Sequence, residues 1–168
     1  MLDDPRARKL ATAPLLAEFR RLRSPDLNGH ERPTEAVAQQ RQLKISLGTA
    51  LMTLARDEHF DEVAEIIRDP GHGSYRNSLL GAVGSMKSDA AVDLALEMVD
   101  DDDVSAWALR ALGNLRSERA QPILEEFAAR PKPRGRTLEV SREDTRIEFA
   151  QAGLAKLVKA RAKGKSRP

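Results

Sequence analysis

The chain has 168 residues, of which 40% are hydrophobic, 32% are charged and 4% are aromatic, and its sequence contains no cysteine. This length suits a single domain with a buried core, and the lack of cysteine excludes a disulfide scaffold, thiolate metal ligands and a cysteine nucleophile. No apolar run approaches the roughly 20 residues that a membrane helix needs, and the N-terminus lacks the apolar region of a secretory signal. We therefore expect a cytoplasmic protein without membrane contact.

The net charge of +2 conceals three segments of different sign. Residues 1–56 hold ten basic and six acidic side chains, residues 57–129 hold six and sixteen, and residues 130–168 hold twelve and four. An acidic centre therefore lies between two basic ends. Such segregation bears on partners and association rather than on the fold.

The first part of the chain alternates between helical periodicity and turn-forming residues. Apolar residues at spacings of three and four predict helices over about 6–23, 34–56 and 60–68. Pro14 conflicts with the first helix, because proline is favoured in a first turn and costs about 3 kcal/mol in a helix interior. This conflict favours a helix that starts at Pro14. Thr34 is a predicted N-cap.

The second part of the chain has a more regular pattern of short helices and turns. Asp89 and Ser117 are predicted N-caps. Residues 131–143 contain two prolines and one glycine, which predict a loop. The helices predicted in this part are 74–86, 89–99, 104–115, 118–129 and 144–162.

Two segments of this second part repeat at an offset of 29 residues. Residues 75–96 align with residues 104–125, and Gly84 then falls on Gly113. A repeat of about 20–50 residues is typical of a solenoid, in which each unit is too small to bury its own apolar face. The small residues at the aligned positions are expected to let neighbouring helices approach closely.

The segment Asp101–Phe127, DDDVSAWALRALGNLRSERAQPILEEF, resembles a HEAT repeat of the short bacterial kind. The resemblance is close over 75–127 and looser over 34–74 and 144–162. It implies an all-α fold, namely a right-handed α-α superhelix of about four helix pairs with an N-terminal capping helix. The residues that match the family pattern are Asp102, Val104, Ala108, Ala111, Leu112, Gly113, Leu115, Ala120, Pro122 and Leu124.

The resemblance also suggests a division of the chain and a class of function. It implies a capping helix and loop over 1–33, a HEAT-like repeat domain over 34–162 and a flexible basic tail over 163–168. HEAT-like proteins are mostly binding scaffolds, and a minority resemble bilin lyases, DNA glycosylases or immunity proteins of bacterial toxins. We therefore expect a non-catalytic module that binds another protein, with an inhibitor or immunity-like protein as the sharper form. A nucleic-acid-binding protein and a lyase-like enzyme are the alternatives.

The acidic centre supplies the candidate contacts for a basic protein partner. Asp102 or Asp103 is also expected to cap the next helix, since a carboxylate is favoured at a helix N-terminus. Trp107 either packs on a neighbouring helix or forms an exposed aromatic anchor. The predicted partner-binding residues are Tyr75, Arg76, Asp89, Asp93, Asp100, Asp101, Asp102, Asp103 and Trp107.

The basic C-terminal region is the candidate surface for nucleic acid. Its representative residues are Arg134, Arg136, Arg142 and Arg146. Binding of phosphates by such a patch would depend strongly on salt. The acidic centre and the shortage of aromatic side chains for base stacking weigh against this alternative.

The sequence offers no pattern for catalysis, a metal or a cofactor. His30, His59 and His72 lack the spacing of a zinc site and are expected to be exposed loop or cap residues. The glycines do not form a phosphate-binding loop, and no G-x-S-x-G motif is present in the sequence. We therefore predict no catalytic residue, no metal, no cofactor and no small-molecule substrate.

Overall fold

The computed structural model describes residues 5–23, 34–135 and 137–164. Within these ranges it contains eight α-helices and no β-strand, which confirms the all-α class. Short 3₁₀ helices at Asp57–His59, Pro70–Tyr75, Met98–Asp100 and Glu118–Ala120 connect several of them. The helices are α1 Pro5–Arg21, α2 Glu35–Leu54, α3 Phe60–Arg68, α4 Arg76–Val83, α5 Asp89–Glu97, α6 Ser105–Leu115, α7 Gln121–Ala128 and α8 Leu138–Ala162.

The chain divides into two compact units, Met1–Ala82 and Val83–Pro168. In the first unit, α1 packs against α2 and α3. In the second unit, α6 and α7 both pack against the long helix α8, and α5 packs against α6. The predicted handedness of the superhelix and the predicted domain boundaries stay predictions.

The apolar side of each short helix is buried, as helical periodicity requires. Residues such as Phe19 and Leu51 are fully buried in the first unit, and Leu109, Leu112 and Ile147 are fully buried in the second. Each such side chain stabilises the folded state by about 1.5–3 kcal/mol relative to exposure.

Helix α1 confirms the helix predicted over about 6–23, but the start at Pro14 is wrong, because the helix continues through this residue. Proline lacks the N–H group that would donate to the carbonyl of Leu10. Both residues have exposed side chains, so water can replace the missing hydrogen bond on that side of the helix. An early start for α1 is thereby tolerated.

Helix α8 begins six residues earlier than predicted, inside the segment 131–143 that was expected to be a loop. Thr137 is its N-cap and accepts a hydrogen bond from the backbone N–H of Val140 at 3.3 Å. Glu139 lies in the first turn, where the helix dipole favours a negative charge. The loop that contains the two prolines therefore ends before this cap.

Of the N-caps predicted at Thr34, Asp89 and Ser117, two are confirmed and one is shifted by a residue. Thr34 and Ser117 accept hydrogen bonds from Val37 N and Arg119 N. The prediction for Asp89 is wrong, because Ser88 caps α5 and Asp89 is the first residue of the helix. A carboxylate in the first turn is favoured by the helix dipole just as one at the N-cap is, so the residue type does not distinguish the two positions.

Helices α6 and α8 approach each other through a pair of glycines. A Cβ atom placed on Gly113 would lie 2.5 Å from the Cα atom of Gly153, which is a severe steric overlap. Gly84 is also tight, since its Cβ would lie 3.0 Å from the Cα atom of Ala111. The predicted role of Gly84 and Gly113 in close helix approach is confirmed.

Among the described residues, no helix is both long and apolar enough to cross a membrane.

Candidate interaction surfaces

The turn that precedes α6 contains four consecutive aspartates. The Asp101 carboxylate accepts a hydrogen bond from the backbone N–H of Asp103 at 3.0 Å, and the Asp101 carbonyl accepts from Ser105 N at 2.7 Å. The residue at the N-cap position is Val104, which makes no side-chain cap bond. The prediction that Asp102 or Asp103 caps α6 is therefore wrong. Asp101 stabilises the turn, and the carboxylates of Asp102 and Asp103 lie near arginines of α8.

The aspartates of this turn form ion pairs with arginines of α8. Arg146 donates to Asp102 at 2.8 Å, and Arg142 lies 3.9 Å from Asp103. Arg146 also pairs with Glu143 at 3.3 Å. Residues predicted for an acidic surface and residues predicted for a basic patch thus neutralise each other. Their separation of 44 positions in the sequence concealed this pairing.

The ion pair with Arg146 affects the pKa of Asp102. The hydrogen bond from Arg146, then the charge of Arg146 and that of Arg142, lower the pKa of Asp102 below its ordinary value. The Asp102 carboxylate stays ionised well into the acid range.

Replacing Arg146 with glutamine is expected to raise the pKa of Asp102 toward its ordinary value. The reason is that the substitution removes both the charged donor and its field. An NMR titration of the side-chain carboxyl carbons measures the change. Arg134→Gln is the matched control, because Arg134 is exposed and has no ion pair among the described residues. An Asp102 titration that is the same in Arg146→Gln and in the wild type would contradict the pairing.

Arg134, a third member of the predicted basic patch, does not share this arrangement, because it makes no ion pair with the described residues. Arg134 lies in the loop before α8. Arg136 lies outside the described residues.

Helix α5 carries a row of exposed carboxylates. Asp89, Asp93 and Glu97 recur at intervals of four residues on its solvent side, and Asp100 follows in the adjoining 3₁₀ helix. We call these four residues the acidic row. Asp93 is also bonded to Arg119, and both of these side chains are about half exposed. The row gives α5 a solvent face of one charge sign.

The side chain of Trp107, a residue of α6, packs against α8. Its ring contacts that of Phe149 edge to face, with the centroids 6.3 Å apart. The guanidinium of Arg110 lies 4.5 Å from the Trp107 centroid and 5.5 Å from the Phe149 centroid, which is a cation–π geometry. Trp107 is half-buried by this packing. The arrangement corresponds to the first of the two roles that we considered for it.

Tyr75 and Arg76 have different environments although they are neighbours. Arg76 is only 1% exposed, and its guanidinium donates to the carbonyls of Gly73 at 2.9 Å and of Ile67 at 3.0 Å. Arg76 therefore serves the interior of the fold and is not presented to a partner. Tyr75 is half-buried, and its hydroxyl accepts a hydrogen bond from Arg41 at 3.3 Å.

A buried polar cluster in the first unit was not predicted. Lys44 is fully buried, donates to the carbonyl of Leu22 and lies with its Nζ atom 2.8 Å from Nδ1 of His72. Because an ammonium group can only donate, Nδ1 of His72 accepts and the ring proton resides on Nε2. That Nε2 atom lies 3.7 Å from a carboxylate oxygen of Asp69, which in turn pairs with Arg23.

Burial controls the protonation of this cluster. Burial and then the charge of Arg23 lower the pKa of Lys44 to about 8, against the opposing effect of the Asp69 charge. Burial and then the charge of Lys44 lower the pKa of His72 below its ordinary value. The ammonium group is also 5.0 Å from the centroid of the Phe19 ring and 5.2 Å from that of Tyr75. These aromatic faces partly compensate for its lost hydration.

The histidine prediction is wrong at two positions. His72 and His59 are buried, because each lies in a 3₁₀ helix that packs onto the first unit, and His30 lies outside the described residues. The burial of Lys44 could have been predicted from the sequence. Lys44 lies three residues before Leu47 and seven before Leu51, which places it on the apolar side of α2. Within the described residues, no group of three or more histidine, aspartate or glutamate side chains could hold a metal ion.

The segment that contains α6, the turn after it and α7 identifies the family relationship. Residues 105–130 match the model of the PBS lyase HEAT-like repeat. This segment is a HEAT-like repeat. Within it, Pro122 lies in the first turn of α7, where the missing N–H group costs little, as the resemblance implied. No curated protein and no solved structure matches the chain.

Helices α6 and α7 form the HEAT-like repeat of the second unit. Its small residue Gly113 provides the close contact with α8, and its aromatic residue Trp107 packs on the same helix. A HEAT-like repeat of this kind suggests a repeat scaffold.

Proposed function

We propose that this chain is a non-catalytic HEAT-like module that binds another protein, and that the acidic row contacts a basic partner. The observation that supports the proposal is the exposure of Asp89, Asp93 and Glu97 along one side of α5 and of Asp100 in the adjoining 3₁₀ helix. The opposite side of the helix is buried in the unit, so these carboxylates have a rigid support. More specifically, we propose an inhibitor or immunity-like protein.

The acidic row is a better candidate than the aspartate turn beside it. Asp102 and Asp103 pair with arginines of α8, so a basic partner would have to displace those arginines. Asp93 pairs with Arg119, but this pair is half exposed and such surface pairs are weak. A positive side chain of a partner can replace Arg119 at little cost.

Charge complementarity of this kind acts mainly on the rate of association and on specificity. A row of carboxylates attracts a basic surface over about one Debye length, which is ~10 Å at 0.1 M salt. Binding is therefore expected to weaken as the salt concentration rises. The nucleic-acid alternative has less support, because Arg142 and Arg146 are already engaged by aspartates.

Reversing two charges of the acidic row is expected to reduce partner recovery at least about tenfold. The variant Asp93→Lys/Glu97→Lys would be compared with the wild type in pull-downs from the native host at rising salt, with the bound proteins identified by mass spectrometry. The tenfold figure corresponds to about 1.4 kcal/mol, a modest share of the attraction between several charge pairs.

The matched control reverses two exposed charges elsewhere in the same unit. Glu139→Lys/Glu148→Lys has the same change in net charge, and both residues lie on α8 away from the acidic row. It is expected to recover the partner normally. Recovery of no protein by the wild type at low salt, or an equal loss in both variants, would refute the proposal.

A further inference from the structure

A basic cleft lies between the end of α6 and the last turns of α8. It has a volume of about 330 Å³, which is at the lower end of small-ligand pockets. Lys156, Lys159 and Lys163 recur at spacings of three and four residues and so share one face of α8. The residues that line the cleft are Asn114, Arg116, Lys156, Lys159, Ala160 and Lys163.

The cleft collects positive charge that carboxylates do not neutralise. Four of its six lining residues are cationic and none is acidic. Among the described residues, Arg116, Lys159 and Lys163 have no ion pair. Most arginines elsewhere in the second unit do have one, namely Arg119, Arg130, Arg142, Arg146 and Arg161. Arg116, Lys159 and Lys163 thus bring to the cleft positive charge that no described carboxylate pairs with.

Two further features hold the cleft in a defined geometry. The Lys156 ammonium donates to the Asn114 side chain at 2.7 Å, which directs one cation across the cleft. Arg116 ends α6 in the left-handed conformation, with φ 55°, and is the one non-glycine residue with positive φ among those described. Glycine or asparagine is the usual choice at such a position. The backbone of Arg116 is therefore strained, and strained residues cluster at functional sites.

We propose that this cleft binds a small ligand through a diphosphate group. Several converging cations favour a compact group that carries more than one negative charge, and phosphoryl oxygens accept hydrogen bonds from lysine and arginine. None of the lining residues is aromatic, so the cleft offers no surface for stacking a base. The phosphates themselves would therefore be recognised, whether in inorganic pyrophosphate or at the end of a larger molecule. This proposal differs from the expectation of no small-molecule ligand and does not depend on the protein-binding function.

Isothermal titration calorimetry of the full chain with inorganic pyrophosphate at low ionic strength tests the proposal. We expect saturable binding that is weaker for orthophosphate, because one phosphoryl group engages fewer cations. ADP serves as the second source of the same diphosphate. If the affinity for ADP is comparable to that for pyrophosphate, the cleft recognises the phosphates alone. If ADP binds markedly more tightly, the diphosphate group belongs to a nucleotide.

Variants of the cleft and a matched control decide whether the binding is local. Lys159→Gln/Lys163→Gln is expected to weaken pyrophosphate binding at least about tenfold, since one charge-assisted hydrogen bond alone contributes about that factor. Lys132→Gln/Arg134→Gln removes the same two charges from exposed residues outside the cleft, and it is expected to change the affinity less than about twofold.

Arg116→Gly provides a second signature. The substitution removes a cation and relieves the left-handed backbone strain, so it is expected to raise the melting temperature while it weakens pyrophosphate binding. The proposal would be overturned by the absence of pyrophosphate binding to the wild type, or by an equal loss in the cleft and control variants. It would also be overturned by binding of an oligonucleotide without affinity for pyrophosphate, which would indicate an extended nucleic-acid surface instead.

Discussion

Replacing Gly113 with alanine is expected to lower the free energy of unfolding by about 2–4 kcal/mol. The added Cβ atom would lie 2.5 Å from the Cα atom of Gly153, so α6 and α8 must separate to accommodate it. The contact is between two backbones, which cannot move aside as a flexible side chain can. In an exposed helix interior the same substitution would stabilise by up to about 1 kcal/mol. The expected sign is therefore opposite to that of helix propensity.

Chemical denaturation followed by far-ultraviolet circular dichroism measures this effect. Gly164→Ala is a matched control, because it also adds one methyl group but has no atom within 4 Å of the new Cβ. Gly164 has φ 60°, so its substitution carries a strain of about 1 kcal/mol, confined to the end of α8. A Gly113→Ala variant as stable as the wild type would show that α6 and α8 do not cross at this glycine pair.

Raising the pH from about 8 to above 10 is expected to stabilise the wild type relative to Lys44→Met by roughly 3 kcal/mol. The pKa of Lys44 is lowered from 10.5 to about 8 in the folded state by burial and by Arg23. Between these two values the unfolded chain binds more protons than the folded chain, so the free energy of unfolding rises with pH. Each unit of pKa difference contributes about 1.4 kcal/mol. Below pH 8 this contribution is lost, because both states are then protonated.

Denaturation curves at a series of pH values measure the difference between the two proteins. The comparison with Lys44→Met cancels the other groups that titrate in the same range. Lys132→Met is the control, since Lys132 is exposed and its substitution should leave the pH profile parallel to that of the wild type. Parallel profiles for Lys44→Met and the wild type would mean that the Lys44 ammonium is hydrated in solution.

Local signals in the sequence predicted the elements of the fold well. The spacing of apolar residues located each of the eight helices in the described part of the chain, and Thr34 and Ser117 were recognised as N-caps from their residue type and position. The errors at Pro14, Asp89 and the start of α8 each concern a helix boundary. Neighbouring residues compete there for the same backbone hydrogen bonds, and differences of about 1 kcal/mol decide between them.

The candidate surfaces were harder to predict, because charge counts along the chain do not show which charges meet. The acidic centre was expected to be free for a partner, yet Asp102 and Asp103 face arginines of α8. The basic cleft was not predicted as a site, although the spacing of Lys156, Lys159 and Lys163 already placed them on one helix face. What the spacing could not indicate is that Arg116 lies across from them.

The sequence by itself determined the helical class and the repeat, because periodicity and capping act within one or two turns of chain. It also indicated Gly84 and Gly113 as positions of close approach, but not Gly153, which Gly113 meets. Only the tertiary structure decided which polar groups are buried and which charges are paired. Lys44 meets His72 across 28 positions, and Arg146 meets Asp102 across 44. Such encounters depend on how helices pack, and the free energy of a charge depends on its distance from opposite charges and from water.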